Sequence, residues 1–380
     1  MLAPLFLLTL CACNINPSAV PCAEIDGRAL APADGTLMGV NLEWGKETLA
    51  EYSENLGERP AVAVTFADFP FNEEDPALIA AAAEQVRGNG GMLLLTLEPF
   101  EGLEAVTQQR SDELAAMLAR FNTNGVPVVV RFAHEMNGSW YPWGQQPAEY
   151  IAAFHRVADA VHRDAPGSAM MWAPNYAGGY PFAGGDHEAM PGTADFTALD
   201  TTADGVLTDA DDPYAPYYPG DDVVDWVGMS LYHWGNTYPW GDSVMPEEGK
   251  FIEQLTGTYN GKNGDDSMVP DFYEEYGVGH GKPVAIPETA ALVGDDIGDL
   301  RTLNIKRAWW EQVFAPEVRE RFPQLAMVNW FEWNKFEPEV GGAVDWTAAE
   351  EPAIRSEFTA ALPDWYHFVD EPEDCGEPIS

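Results

Sequence analysis

The sequence predicts a single (β/α)8 barrel of the TIM type, an α/β fold, from two observations. Eight short apolar segments follow one another along the 380 residues, and stretches with helical spacing of apolar residues lie between them. Uninterrupted apolar strands are typical of a parallel sheet covered by helices, and eight such repeats predict closure into a barrel. A barrel of this kind commonly uses more than about 250 residues as one domain, which fits the length of the chain.

Short apolar runs mark the strands, which are predicted over residues 37–40, 61–66, 92–97, 126–132, 169–173, 223–231, 283–287 and 325–331. Helices are predicted over residues 75–87, 111–121, 148–163 and 353–361. In the second of these helices, Ser111 is the predicted N-cap, and Leu114, Leu118 and Phe121 fall on one face. We therefore expect the barrel over residues 36–363.

The first 13 residues have the composition of an export signal. Their apolar run, residues 2–10, has the length of a signal-peptide core and is shorter than the ~20 residues of a membrane-spanning helix. It ends in Leu-Cys-Ala-Cys, which resembles the lipobox of bacterial lipoproteins and leaves open either a lipid anchor at Cys13 or a plain secreted protein. Residues 14–35 are predicted to be a linker and residues 364–380 an acidic C-terminal tail. A secreted or cell-surface protein without a transmembrane span is expected.

Two cysteines, Cys22 and Cys375, lie outside this leader. In an oxidising compartment they are expected to form a disulfide that joins the two ends of the chain. Two unpaired thiols are the alternative.

The charge of the chain restricts its partners. With 19 Lys and Arg against 62 Asp and Glu, the net charge is −43, so nucleic acids and anionic membrane surfaces would be repelled. Most of these carboxylates are interpreted as a hydrated exterior surface. A neutral polysaccharide is compatible with that surface, and we expect a monomer.

Carboxylates follow several predicted strands, at the end of the barrel where active sites lie. They are Glu43, Glu98, Glu135, Glu288 and Glu332. Because so acidic a chain places some of them there by chance, position alone does not identify a catalytic residue.

The surroundings of Glu135 single it out. The segment RFAHEMNGSWYPWG contains Arg131, His134 and Asn137, and then Trp140 and Trp143. Aromatic faces stack on sugar rings, while Arg, His and Asn side chains bond hydroxyl groups or adjust a carboxyl group. The pair His134–Glu135 is not a zinc-protease motif, since Gly138 stands where HExxH requires its second histidine.

This segment resembles glycoside hydrolase family 26, a group of retaining (β/α)8 enzymes that act on β-mannan, mixed-linkage β-glucan or β-1,3-xylan. The resemblance implies that Glu135 is the acid/base residue. It also implies that Glu288, in AIPETA, is the nucleophile, and that Tyr232, in DWVGMSLYHWG, bonds this nucleophile. The segment MVNWFEWNK resembles the one with a tryptophan platform under the sugar, for which Trp330 is the first choice and Trp333 the second.

The implied mechanism places opposite demands on the two glutamates. In retaining enzymes the carboxyl groups stand about 5–5.5 Å apart, and one of them attacks the anomeric carbon. Arg131 and Tyr232 would keep Glu288 ionised, whereas burial and the charge of Glu288 would keep Glu135 protonated. His134 is expected to orient one of these groups or to bind substrate, with a structural role as the alternative. Trp140 and Trp143 are expected to be walls of the site or, alternatively, core residues.

A further acidic segment, DTTADGVLTDAD over residues 200–211, has the spacing of a calcium-binding loop of EF-hand type. Its predicted ligands are Asp200, Thr202, Asp204, the Val206 carbonyl, Thr208 and Asp211. This calcium would be structural, because hydrolysis by two carboxyl groups needs no cofactor.

The sequence as a whole predicts a secreted, endo-acting glycosidase that cleaves a β-linked polysaccharide. Resemblance to the family favours β-1,4-mannan, with mixed-linkage β-glucan and β-1,3-xylan as alternatives. Two other hypotheses are a non-catalytic carbohydrate-binding surface protein on the same barrel and a purely structural, calcium-dependent exterior protein.

Overall fold

A computed structural model of the chain describes residues 20–262, 264–294, 297–372 and 375–379. The predicted leader, with Cys13, and the first part of the predicted linker lie outside these residues.

Eight parallel strands form a closed barrel, as predicted. They are β1 (Thr36–Leu42), β2 (Val62–Asp68), β3 (Met92–Glu98), β4 (Val128–Phe132), β5 (Ser168–Trp172), β6 (Trp226–Gly228), β7 (Val284–Thr289) and β8 (Leu325–Glu332). Each strand pairs with the next, and β8 pairs with β1, with Val40 opposite Trp330. All eight predicted strands are therefore confirmed.

Helices surround the barrel and cover its outer face. They are α1 (Leu49–Leu56), α2 (Asp75–Asn89), α3 (Gln108–Thr123), α4 (Pro147–Asp164), α5 (Ala194–Leu199), α6 (Lys250–Leu255), α7 (Asp299–Val313), α8 (Pro316–Arg321) and α9 (Pro352–Ala361). Short helical turns occupy Gly27–Ala29, Leu103–Ala105, Ala215–Tyr217 and the π-helix Tyr273–Val278. Two-stranded hairpins pair Asn260–Gly261 with Gly264–Asp265 and Asn334–Glu337 with Gly342–Asp345. None of the helices in the described ranges is long and apolar enough to cross a membrane.

One predicted helix boundary is wrong. Helix α3 begins at Gln108 with Thr107 as its N-cap, so Ser111 lies within the first turns and donates its hydroxyl to the Thr107 carbonyl at 3.1 Å. Ser111 resembles an N-cap in sequence, but Thr107 is equally suited to the position and lies one turn earlier.

Side chains of the strands alternate between two buried layers. In β3, Leu95 and Leu97 pack toward the helices, whereas Met92 and Leu94 fill the barrel interior. Since alternate residues of a strand face the same side, the interior set of β3 continues through Thr96 to Glu98 at the mouth of the barrel. This alternation decides which residues after each strand reach the site.

The two ends of the described chain are fastened to the barrel. Cys22 and Cys375 form a disulfide with a Cα–Cα distance of 5.0 Å, which confirms the predicted pairing. Within the predicted tail, the short strand Tyr366–His367 pairs in parallel with β1.

Candidate active site

A bulge in β7 turns Glu288 into the barrel. Ile286 pairs with Val328 and Thr289 with Trp330, so β7 uses three residue steps where β8 uses two. Ala285 faces the interior, and strict alternation would then send Glu288 toward the helices. After the bulge it is Thr289 that faces the helices, where its hydroxyl accepts a hydrogen bond from Trp309 of α7. The extra residue therefore aims the Glu288 carboxylate at the mouth of the barrel.

Two side chains hold the Glu288 carboxylate. The fully buried guanidinium of Arg131, from β4, forms an ion pair with Oε1, and the Tyr232 hydroxyl donates to Oε2 at 2.6 Å. Burial alone would raise the pKa of Glu288, but the charge of Arg131 and the hydrogen bond from Tyr232 lower it to about 2. Glu288 is therefore ionised at neutral pH.

Glu135 lies just beyond β4 in a left-handed conformation, with φ of 56°. Its backbone N–H donates to the Ala173 carbonyl after β5 at 2.9 Å, and its Oε2 accepts the Trp140 indole N–H at 3.2 Å. Burial, and then the negative charge of Glu288, raise the pKa of Glu135 to about 7. The site thus combines a carboxyl group that is ionised at neutral pH with one that keeps its proton up to about pH 7, which suits acid catalysis beside a nucleophile.

Ser230 links Glu135 to Arg131, the ion-pair partner of Glu288. Its hydroxyl accepts a hydrogen bond from Arg131 at 2.7 Å, and it also bonds Glu135, which partly offsets the rise of that pKa. Ser230 was not predicted as a site residue, although it lies two residues before Tyr232 in the same segment. The period of two along an extended segment could have identified it.

His134 is a neutral, buried wall of the site. Burial, followed by the charge of Arg131, lowers its pKa to about 3. Its ring contacts Phe66 and Tyr141, at centroid distances of 6.1 and 5.2 Å, and no described residue bonds its Nδ1.

Asn137 does not reach the cleft. The prediction that it binds substrate is wrong, and its role is structural. It is fully buried, its amide donates to the Asn175 carbonyl, and its side-chain oxygen accepts the Asn175 N–H, both at 2.9 Å. Because both polar ends of the side chain are used, Asn137 joins the segments after β4 and β5 and has no free group for substrate.

The two tryptophans after β4 have different environments. Trp143 is fully buried, stacks on Tyr141 at 4.3 Å and donates to the His134 carbonyl. Of the two predicted alternatives, a wall of the site or a core residue, Trp143 is therefore a core residue. Trp140 is 37% exposed and lies beside Glu135, where its ring can contact a ligand.

The prediction that Trp330 is the platform under the sugar is wrong. It is fully buried on the helix side of β8, against Phe358 of α9 and Phe314. Trp333, the second choice, has the opposite orientation by strand alternation. It is partly exposed, stacks on Phe331 at 5.4 Å and contacts the ring of Phe66 at the mouth.

The predicted calcium ligands bond to their own loop. Asp200 accepts backbone N–H groups of Asp204 and Gly205, and Asp211 accepts those of Thr202 and Thr208. Over the described part of the chain, no three acidic, His or Cys side chains are grouped so that they could hold a metal ion. Calcium binding by this loop stays a prediction.

A closed parallel barrel with two glutamates of clearly different pKa at the carboxyl ends of its strands is typical of barrel glycoside hydrolases. Residues 98–171 match the sequence profile of glycosyl hydrolase family 26, so this part of the chain is similar to that family. The match includes the segment that carries Arg131, His134 and Glu135.

One curated relative matches most of the chain. Endoglucanase H of Acetivibrio thermocellus is 27% identical over 291 residues, which are 74% of this chain and 25% of that protein. The chain thus spans about a quarter of the length of this curated relative.

Solved structures share the fold. An endo-β-1,4-mannanase from Cellulomonas fimi superposes with a TM-score of 0.54 at 18% identity, over 91% of this chain and 78% of that one. A β-mannanase from Bacteroides ovatus gives a TM-score of 0.52 at 18% identity, over 89% and 91% of the two chains. At these identities the likeness establishes a shared fold.

Proposed function

We propose that this protein is a secreted, retaining glycoside hydrolase that cleaves β-1,4-mannan within the chain. The observation that carries the proposal is the difference between the surroundings of the two glutamates. Arg131 and Tyr232 hold the Glu288 carboxylate and lower its pKa to about 2, whereas burial and the charge of Glu288 raise the pKa of Glu135 to about 7. Retaining glycosidases require this combination, since one carboxylate must attack while the other carboxyl group donates a proton.

In the proposed first step, a Glu288 oxygen attacks the anomeric carbon and forms a glycosyl ester. The bond from that carbon to the bridging oxygen breaks, and the Glu135 proton passes to the leaving oxygen. In the second step, Glu135 accepts a proton from water, whose oxygen attacks the anomeric carbon and releases Glu288. Two displacements return the original anomeric configuration.

The Tyr232 hydroxyl and Arg131 would keep the attacking carboxylate oriented and ionised. Arg131 is fully buried, so its charge acts on Glu288 with little screening by water. Trp140 and Trp333 would supply apolar faces for sugar rings on two sides of the reacting pair.

Mannan is the first candidate substrate because of the family resemblance, and two structural relatives, from C. fimi and B. ovatus, are named as β-mannanases. A β-glucan is the second candidate, because the curated relative with 27% identity is named an endoglucanase. A β-1,3-xylanase is the third member of the predicted group.

A panel of β-mannan, mixed-linkage β-glucan and β-1,3-xylan tests the proposal, with Glu135→Gln and Glu288→Ala as inactive controls. We expect the wild type to release oligosaccharides from mannan and both variants to lose this activity. Cleavage of β-glucan alone would contradict the proposed substrate but not the proposed mechanism. Binding without cleavage, equal in wild type and Glu135→Gln, would instead favour the non-catalytic carbohydrate-binding protein.

An exterior location is part of the proposal. The Cys22–Cys375 disulfide is consistent with an oxidising compartment. Palmitate labelling of a full-length chain, compared with Cys13→Ser, distinguishes a lipid anchor from plain secretion. For the loop over 200–211, calcium should raise the melting temperature of chelator-treated protein, and Asp204→Ala should abolish the increase; unchanged melting would exclude calcium.

A further inference from the structure

The glutamates that follow barrel strands differ in whether the protein satisfies their side chains. Four of the five have a hydrogen-bond or ion-pair partner, and these are Lys46 for Glu43, Trp140 for Glu135, Arg131 and Tyr232 for Glu288, and the N–H groups of Ala348 and Ala349 for Glu332. Glu98 is the exception. No described residue makes a hydrogen bond or an ion pair with its carboxyl group.

Glu98 is nevertheless well fixed in the site. It is the last residue of β3 and lies opposite Asp68 of β2, and its carbonyl accepts the N–H groups of Phe69 and Phe100, both at 2.9 Å. Strand alternation directs its side chain inward, on the same side as Thr96, which pairs in register with Arg131. The Glu98 carboxyl group is only partly buried, so it can meet a ligand in the cleft.

The charges around Glu98 favour its neutral form. Burial and then the negative charge of Glu288 raise its pKa to about 8, with a smaller rise from Asp68, while Arg131 and Lys335 oppose the increase. At neutral pH the group is a carboxylic acid with one hydroxyl donor and free acceptor sites. A sugar hydroxyl, which both donates and accepts, is the matching partner, and leaving this partly buried acid unpaired would be costly.

We propose that Glu98 is a substrate-binding residue whose carboxyl group hydrogen-bonds a hydroxyl of the neutral sugar unit held beside Glu135 and Glu288. The inference rests on the proposed glycosidase function, which it extends by one contact at the β3 side of the cleft. Glu98 takes no part in bond breaking, so its loss weakens binding more than turnover.

The test compares Glu98→Ala and Glu98→Gln with Glu104→Gln, an exposed glutamate of the same connection after β3. On the polysaccharide that the wild type cleaves best, Glu98→Ala should raise KM by about 3- to 10-fold, the effect of one hydrogen bond, with a smaller change in kcat. Glu98→Gln, which can still donate and accept, should recover most of the loss. Cleavage by the wild type reports on the proposed function independently of these variants.

A binding measurement separates this contact from a structural role. Calorimetry with an oligosaccharide of the cleaved polymer, in the inactive Glu135→Gln background, should show a Kd that rises above pH 8 as Glu98 ionises and loses its donor. The double variant Glu135→Gln/Glu98→Gln should lack this increase. A KM for folded Glu98→Ala equal to that of Glu104→Gln would overturn the inference. The same pH dependence of Kd in Glu135→Gln and in Glu135→Gln/Glu98→Gln would also overturn it.

Discussion

The Tyr232 hydroxyl donates a 2.6 Å hydrogen bond to Glu288 Oε2, while Arg131 binds the other oxygen of the same carboxylate. These two contacts fix both oxygens, so the plane of the carboxylate is set before any substrate arrives. Preorganisation of this kind favours a nucleophile that must approach one carbon atom from one direction.

Replacement of Tyr232 by phenylalanine should weaken the nucleophile. A hydrogen bond to a charged group contributes about 1.5–3 kcal/mol, so we expect kcat to fall by about 10- to 100-fold. Because the hydroxyl stabilises the ionised form, its loss should raise the pKa of Glu288 and move the acidic limb of the pH–rate profile upward. Tyr218→Phe, whose hydroxyl bonds Asp221 before β6, is the matched control. An unchanged acidic limb would contradict the assignment.

The pH dependence should reflect a protonated Glu135. Its pKa is raised to about 7, so the active form, with Glu135 protonated and Glu288 ionised, should decline above about pH 7. We expect kcat/KM to fall there and to be level at moderately acidic pH. In Glu135→Gln this fall of kcat/KM above about pH 7 should disappear. The variant should still carry out the first step on aryl glycosides with good leaving groups, because these leaving groups need little proton donation. A wild-type profile that rises through pH 8 would contradict this assignment.

Two tryptophans of the same segment should respond in opposite ways to alanine substitution. Trp330→Ala removes a fully buried ring from the interface with α9 and should cost about 3–5 kcal/mol of unfolding free energy. Trp333→Ala should leave most of the stability and raise KM by roughly 3- to 10-fold through the loss of a stacking face. Urea unfolding and steady-state kinetics on both variants make the comparison. A KM of Trp333→Ala equal to that of the wild type would show that Trp333 does not contact the substrate.

The terminal disulfide should stabilise the barrel without affecting catalysis. Cys22 and Cys375 are separated by 353 residues, and a β-carbon at Gly125, before β4, would lie 3.0 Å from the Cys22 sulfur. The bridge therefore lies at the end of the barrel opposite the site. The double variant Cys22→Ser/Cys375→Ser should lose about 2–5 kcal/mol of unfolding free energy and keep kcat at 25 °C. Dithiothreitol should reproduce this loss in the wild type and have no effect on the variant.

Much of the fold could be predicted from the sequence because it depends on local patterns. Apolar runs of strand length, separated by helical spacing, do not need long-range information to be recognised. The positions of Glu135 and Arg131 could be predicted for the same reason, since each follows or lies within such a run, whereas Tyr232 was implied only by the resemblance to the family.

Other features depend on neighbours that are distant in sequence. The bulge that turns Glu288 inward is a mismatch between β7 and β8, and it is invisible in either strand alone. The role of Asn137 depends on Asn175, 38 residues away. The choice of Trp330 over Trp333 was wrong because the orientation of β8 is set by its packing against α9, which strand patterns alone left undecided.

Trapping of the glycosyl–enzyme intermediate would show whether Glu288 attacks the anomeric carbon. An activated 2-deoxy-2-fluoro glycoside of the sugar that the wild type releases should form a stable ester, because the fluorine slows its hydrolysis. Mass spectrometry of a proteolytic digest should then find one added sugar on the peptide that contains Glu288, and no label in Glu288→Ala. A label on another residue, or inversion of the anomeric configuration in product NMR, would contradict the proposed role of Glu288 as the nucleophile.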